Sequence, residues 1–392
     1  TMTAVLRMDA KAGARERLES ARTTLIALSH RIHAHPEVGF EEERAAGWLC
    51  DDLADAGFAV TRGVGDLPTA FVARAGHGPL HVAFCAEYDA LPGIGHACGH
   101  NMIAAMAVGA ATAAARVADD VGLTVSVIGT PAEEGGGGKI LLLDRGVFAG
   151  VHAAMMVHPA PMDVVLQPFL ACTQFEIRYT GKEAHASAFP ERGINAADAL
   201  TVAQTAIGCL RQHIRPSDRV HGIITHGGDA PNIVPAHTAA HYIVRAKTLG
   251  ELEEIRGKVE RCFEAGALAT GSTLAIIEDH PPYAELKPDT EIAAYYQRNV
   301  EQLGRFLPDL GPLLERIAGS TDMGNISLAL PSIHPMIGIE SLPAVNHQPE
   351  FTAHCATPIA DRAMMDGALA MVWTAIDLAA DASLRRRLTA TA

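Results

Sequence analysis

A thiol and an imidazole stand two residues apart in Gly95-His96-Ala97-Cys98-Gly99-His100-Asn101, and a pair of carboxylates follows in Pro131-Ala132-Glu133-Glu134-Gly135. Sulfur, nitrogen and oxygen donors in this combination suit a divalent metal site, with one carboxylate left over for proton transfer. Two later imidazoles extend the set: His158 in His158-Pro159 and His347 in His347-Gln348-Pro349-Glu350-Phe351. The chemistry such a set predicts is hydrolysis. A cysteine near a histidine is by itself more often a small buried residue. The stronger signal is placement, because Cys98, Glu133, Glu134 and His158 all come after short apolar runs of strand length.

Those runs define the elements that must position the chemistry. Helices are expected over 14–34 and 41–57, strands over 69–74 and 80–86, a tightly packed helix over 102–117, and strands over 123–129 and 153–157. Alternation of this kind predicts an α/β fold with a mainly parallel sheet, whose functional groups gather beyond the carboxyl ends of the strands. The pattern changes after Pro168. Strands over 171–179, 219–226, 237–246 and 272–279 and helices over 193–214 and 249–266 make the strand-helix-strand-strand-helix-strand order of a ferredoxin-like domain. The α/β pattern then resumes with a helix over 289–303, a strand over 333–340 and a helix over 359–380. The expected organisation is a catalytic domain in two parts, 1–169 and 285–392, with a lid or dimerisation domain over 170–284 inserted between them.

The 392 residues exceed what one core usually organises, and 48% hydrophobic with 19% charged residues reads as an ordinary globular chain. The formal net charge of −14 gives no support to nucleic-acid or anionic-membrane binding, and no apolar run reaches the roughly 18 residues of a membrane span. Seven scattered cysteines without a C-x-x-C pair point to a reducing compartment, so a cytoplasmic location is expected. Gly135 to Gly138 followed by Lys139 is not a phosphate loop, since Ile140 stands where the hydroxyl residue belongs. The glycines instead let backbone pass close to the site, with a helix beginning at about Lys139. His33 and His35 lie at a helix end before Pro36, a place that favours basic residues without any metal.

Six segments together carry a resemblance over essentially the whole chain: Asp89-Ala90-Leu91-Pro92, His96 to His100, Pro131 to Gly136, Gly181-Lys182-Glu183-Ala184-His185-Ala186, Asn232-Ile233-Val234-Pro235, and His347 with Pro349. They resemble the co-catalytic metallopeptidases and amidohydrolases that include aminoacylase, carboxypeptidase G and plant auxin-conjugate hydrolases. Asn101, Glu87-Tyr88-Asp89 and Ser320-Thr321-Asp322-Met323 bring the chain nearest to the aminobenzoyl-glutamate hydrolase and dipeptidase-like branch. The resemblance implies two divalent ions per subunit, zinc or manganese, on Cys98, His100, Glu134, His158 and His347. It also implies Glu133 as general base, Asp89 as the group orienting a ligand, His185 reaching the active site of a partner subunit, and Asn232 and Arg245 holding a substrate carboxylate. The expected enzyme is a homodimeric amidohydrolase acting on an N-acyl, aminobenzoyl or aminoacyl amino acid, with a broad dipeptidase as the alternative. A cysteine hydrolase using Cys98 as nucleophile and a non-catalytic small-molecule binder are the readings from other classes.

Overall fold

The computed structural model describes residues 4–390, and the chain divides into two compact units. The first unit runs through Pro168 and resumes over Leu286–Ala318 and from Asp322 onward; the second comprises Phe169–Glu285 and Gly319–Thr321.

The first unit opens with helices α1 (Ala4–Ser20), α2 (Arg22–Ala34) and α3 (Glu43–Asp55), then β1 (Ala59–Arg62), β2 (Phe71–Gly76), β3 (Leu80–Ala86), α4 (His100–Val121), β4 (Leu123–Gly129), α5 (Gly138–Asp144), β5 (Ala153–Met155) and β6 (His158–Ala160). Its sheet runs β1-β2-β4-β3-β5 and ends on a short strand contributed after the second unit. The pairings of β4 with β3 and of β3 with β5 are parallel, whereas β1, β2 and β4 pair antiparallel. Every residue of β3 and β4 is buried. That explains their unbroken apolar sequence, because a strand covered on both faces has no solvent side to alternate with.

Helix α4 carries the site loop into the interior. Its run of alanines is almost entirely buried, and such small side chains allow close packing between helices and sheet. Gly99 caps its start with φ 71°, a left-handed conformation that a side chain would strain. A Cβ there would also stand 2.8 Å from Pro159. Both observations tie the Cys98 to His100 loop to glycine at this position.

The second unit contains β7 (Ala171–Thr180), α6 (Ala196–Leu210), β8 (Arg219–His226), β9 (His237–Ala246), α7 (Leu249–Thr270) and β10 (Thr273–Glu278). Its antiparallel sheet runs β10-β7-β9-β8, and its two helices bury one sheet face around Phe175, Ile177, Leu200, Val244, Val259 and Phe263. This is the ferredoxin-like order. Helix α6 begins at 196 rather than 193 because the Asn195 side chain accepts hydrogen bonds from the amides of Ala197 and Asp198, the capping geometry of a helix start.

The first unit is completed by α8 (Thr290–Gln302), α9 (Leu313–Arg316), α10 (Met323–Ala329), β11 (Ser332–Ile333), β12 (Met336–Gly338), α11 (Pro349–His354), α12 (Pro358–Ala380) and α13 (Ala382–Thr389). Strand β11 pairs parallel with β5, and β12 pairs parallel with β6. The strand expected over 333–340 is thus two shorter strands separated at His334-Pro335, where proline withholds a donor. The helix expected over 14–34 is likewise interrupted at Ala21. Helices α4 and α12 are each long and apolar enough, by composition, to cross a membrane, which corrects the expectation that no stretch of the chain reaches that length. In both, 89% of the apolar window is covered by the protein itself, as in core helices.

Candidate metal centre

The loops that follow β3 and β4 and the start of α4 bring the metal-type residues together. Three groups of donor atoms lie within 4.8 Å of one another: Cys98, His100 and His158; Cys98, Glu134 and His347; and Glu87, His100 and Glu133. All five expected ligands and the expected base therefore converge in the first unit. Glu87, to which the sequence assigned no role, joins them.

Each imidazole is oriented from behind. His100 Nδ1 donates to the Asp89 carbonyl at 2.7 Å, with Asp89 Oδ1 at 3.1 Å, and its Nε2 is left facing the centre. His158 Nδ1 donates to the carbonyl of Pro159 at 2.7 Å. A ring nitrogen committed to an oxygen in this way sets the tautomer and the direction of the other nitrogen. Asp89 also accepts from the Glu134 amide at 2.9 Å, so one buried carboxylate orients two expected ligands. His347, by contrast, has an exposed side chain (59%) with Nε2 3.4 Å from Glu134, and it adopts φ 70° while its amide donates to Ala97 at 2.9 Å. A left-handed histidine is strained and persists only where the surroundings enforce it.

Adjacent carboxylates leaving a strand end were expected to diverge. Instead, Glu133 and Glu134 each place an oxygen 3.7 Å from His100 Nε2, because the loop turns sharply at Ala132, with φ 56°. That turn is held by the buried Glu42, whose carboxylate accepts from the Ala132 amide at 2.8 Å and from the Thr69 hydroxyl at 2.9 Å. Gly138 allows the chain to return past it, since a Cβ there would meet the Pro131 carbonyl at 1.8 Å.

The electrostatics are those of a crowded, dehydrated anionic pocket. Burial pushes the Cys98 thiol well above its ordinary pKa, and Glu134 and Glu133 push it further. A thiolate nucleophile is disfavoured there, while a divalent ion would displace the proton. Burial also raises Glu133 well above the carboxylate range, reinforced by Glu87 and Glu134. At His158 burial lowers the pKa to about 3, which keeps the ring neutral as a ligand must be. At His100 burial opposes the charge, yet Asp89 and Glu87 outweigh it and raise the pKa well above the usual value. His100 Nε2 and Glu134 Oε1 are buried without a hydrogen-bond partner. Buried polar atoms in that condition are costly unless something else satisfies them, and a divalent cation fits this donor set.

Beneath the pocket, Lys139 is completely buried and donates to Glu87 Oε1 at 2.5 Å and to Asp322 Oδ1 at 2.9 Å. Two signals in the sequence could have exposed this group. Glu87 and Asp89 are two apart on an extended strand exit, which places them on one side. Lys139 opens the apolar run Ile140 to Leu143, where a lone charge implies a buried partner. Asn101 is structural: its side-chain amide donates to Ser29 Oγ and to the Cys355 carbonyl, both at 3.0 Å. His33 and His35 bond to the carbonyls of Thr352 and Arg31, outside the donor groups.

His185, Asn232 and Arg245 belong to the second unit. The turn that carries His185 pairs with the Asn232 segment, Ala186 donating to the Asn232 carbonyl at 3.0 Å. His185 Nδ1 accepts from the amides of Ser187 and Ala188 at 3.2 and 3.1 Å, which leaves Nε2 as an exposed donor. Arg245, on β9, donates to Ser320 Oγ at 2.9 Å. Asn232 and Arg245 thus have different partners within this unit.

Comparison with known proteins agrees with this arrangement. A family model for the peptidase dimerisation domain matches residues 172–270. The chain is 40% identical over 384 residues to the Xaa-Arg dipeptidase of Mus musculus, covering 94% of this chain and 88% of that protein. It is 36% identical over 301 residues to one of the two polypeptides of the p-aminobenzoyl-glutamate hydrolase of Escherichia coli, covering 71% and 63% respectively. A Bacillus subtilis structure described as a dinuclear metal binding peptidase from the M20 family shares the fold, with a TM-score of 0.68 at 20% identity over 92% of this chain and 99% of that one.

Proposed function

We propose, from the premise that this chain belongs to the M20 peptidase family and is a hydrolase of amide bonds, that it releases an amino acid with a free carboxylate from dipeptides or N-acylated amino acids. The observation that carries the reading is the convergence of Cys98, His100, Glu134, His158 and His347 beside Glu133. Two divalent ions, zinc or manganese, would be held by those five ligands and would supply Lewis acidity toward the scissile carbonyl and the attacking water. Glu133 accepts the proton of that water as its oxygen attacks the carbonyl carbon. It then delivers the proton to the amide nitrogen as the carbon-nitrogen bond breaks. Asp89 keeps His100 and the Glu134 loop in register throughout.

His185, with its exposed Nε2 donor, would stabilise the developing oxyanion in the site of a partner copy, in a homodimer formed through the second unit. The match of that unit to a dimerisation domain supports this part. Arg245 and Asn232 would hold the substrate carboxylate, a task suited to a guanidinium. The extent of similarity to the Xaa-Arg dipeptidase favours dipeptides with a cationic carboxy-terminal residue as first substrates; aminobenzoyl-glutamate is the second reading, favoured by the bacterial relative. The seven cysteines are all free, in keeping with a cytoplasmic setting.

The test is a hydrolysis panel of Xaa-Arg dipeptides, other dipeptides, N-acyl amino acids and aminobenzoyl-glutamate, using metal-stripped protein reloaded with zinc or manganese. Metal-dependent release of the carboxy-terminal amino acid is expected. Activity that survives complete chelation but is abolished by thiol alkylation would replace this mechanism with a cysteine nucleophile.

A further inference from the structure

We infer that Glu87 is a further ligand of the metal centre, aimed by Lys139 as a positioning residue that Asp322 anchors; this rests on the metal-dependent reading above. Glu87 is fully buried, and its two oxygens have different surroundings. Oε1 takes the Lys139 ammonium at 2.5 Å, whereas Oε2 makes no hydrogen bond and faces His100 Nε2, likewise without one, at 3.1 Å. Two electron-pair donors on one ion with bonds of about 2.0–2.2 Å stand about 3 Å apart when they are adjacent in the coordination shell. The Glu87 and His100 atoms have that spacing.

The charge count points the same way. Glu87 and Asp322 bring two negative charges to Lys139's one, so the buried trio retains an uncompensated negative charge beside His100. A salt bridge serving stability alone has no use for a surplus charge in the interior. Lys139 is held at both ends, its Nζ by Asp322 Oδ1 at 2.9 Å and its amide by Asp322 Oδ2 at 3.0 Å. The ammonium therefore cannot follow Glu87 if the carboxylate swings, and Oε2 stays directed at the centre.

The decisive experiment is a crystal structure of the wild-type enzyme loaded with manganese, the ions located by anomalous scattering, together with chelator-competition affinities for the Glu87→Gln, Glu87→Asp and Lys139→Met variants. An oxygen of Glu87 within about 2.3 Å of an ion is expected. Manganese affinity should fall at least tenfold in both Glu87 variants, and by about 10–100-fold in Lys139→Met, the range for residues that orient a ligand. The wild-type structure needs no variant to fold. Glu87→Asp, which keeps the buried charge, and the double variant Glu87→Gln with Lys139→Met, which removes the pair together, guard the affinity measurement. Ions seated on Cys98, His100, Glu134, His158 and His347 with Glu87 more than about 3 Å away would overturn the inference and leave the proposed function standing. No ion on those five residues would remove the proposed function itself.

Discussion

In the first unit Glu87, Asp89, His100, Lys139 and Asp322 are sealed from solvent and cross-bonded, whereas in the second His185 and Asn232 stand on exposed turns and Arg245 bonds to a single serine hydroxyl. The two regions contain similar residue types. What differs is the cost of leaving a group without a partner: small in water, large in the interior, where desolvation and unscreened charge both act. The first unit therefore has its chemistry preorganised by its own fold. The second offers donors whose geometry is completed only by what they meet. Substitutions in the first should disturb protonation, metal content and folding together, while those in the second should change kinetics and leave stability almost untouched.

The sharpest test of that contrast is Glu133→Gln, which should lower kcat by about 10²–10⁴-fold, the usual contribution of a general base, while metal content by elemental analysis stays near wild type. Near-normal turnover would break the assignment. Next comes Lys139→Met, which strands two buried carboxylates; the loss should be about 3–5 kcal/mol in denaturant unfolding of the metal-free protein. A loss below about 1 kcal/mol would mean that burial in the first unit carries no such penalty.

In the second unit, His185→Ala should reduce kcat by about 10²–10³-fold with an unchanged Tm. Mixing that variant with Glu133→Gln should recover activity if the histidine serves a partner's site; verified mixed dimers that stay inactive would exclude that role. Arg245→Ala should appear mainly as a higher KM, by about 10–100-fold for the loss of a charge-assisted pair, and the penalty should shrink for substrates whose carboxylate is amidated.

The smallest effect concerns Glu42. Burial, with help from Asp89, raises its pKa to about 7, so the folded state favours the protonated acid. Its contribution to stability is complete below about pH 4.5, the ordinary value, and disappears as pH rises through about 7. Glu42→Gln should therefore melt above wild type at pH 8.5, by about 1–3 kcal/mol in the metal-free protein, and show no such advantage at pH 4.5. An equal difference at both pH values would show that hydrogen bonding to Ala132, not charge burial, governs the position.

Much of this was legible in the chain itself. The strands 80–86, 123–129, 219–226 and 237–246 coincide with β3, β4, β8 and β9, since uninterrupted apolar runs and alternating ones are local consequences of two-sided and one-sided burial. Short elements escaped notice. Strand β1 and helices α10, α11 and α13 lack the length over which periodicity can be counted, and α1 and α2 merged across Ala21 because no breaker residue separates them. At the site, ligand types and motif spacing named Cys98, His100, Glu133, Glu134, His158 and His347, because those identities are the chemistry.

Glu87, Lys139, Asp322 and Glu42 required the tertiary structure. A buried charge is recognisable only with its partner, and Lys139 is 183 residues from Asp322 while Glu42 is 90 from Ala132. The sequence by itself determined which donors exist and which strand ends deliver them, through rules that act over a few residues. Folding alone decided that both glutamates turn toward one imidazole, that Lys139 commits to one oxygen of Glu87, and that the remaining oxygen faces His100. Those outcomes follow from desolvation and charge in a shared interior, and neither can be computed from neighbours along the chain.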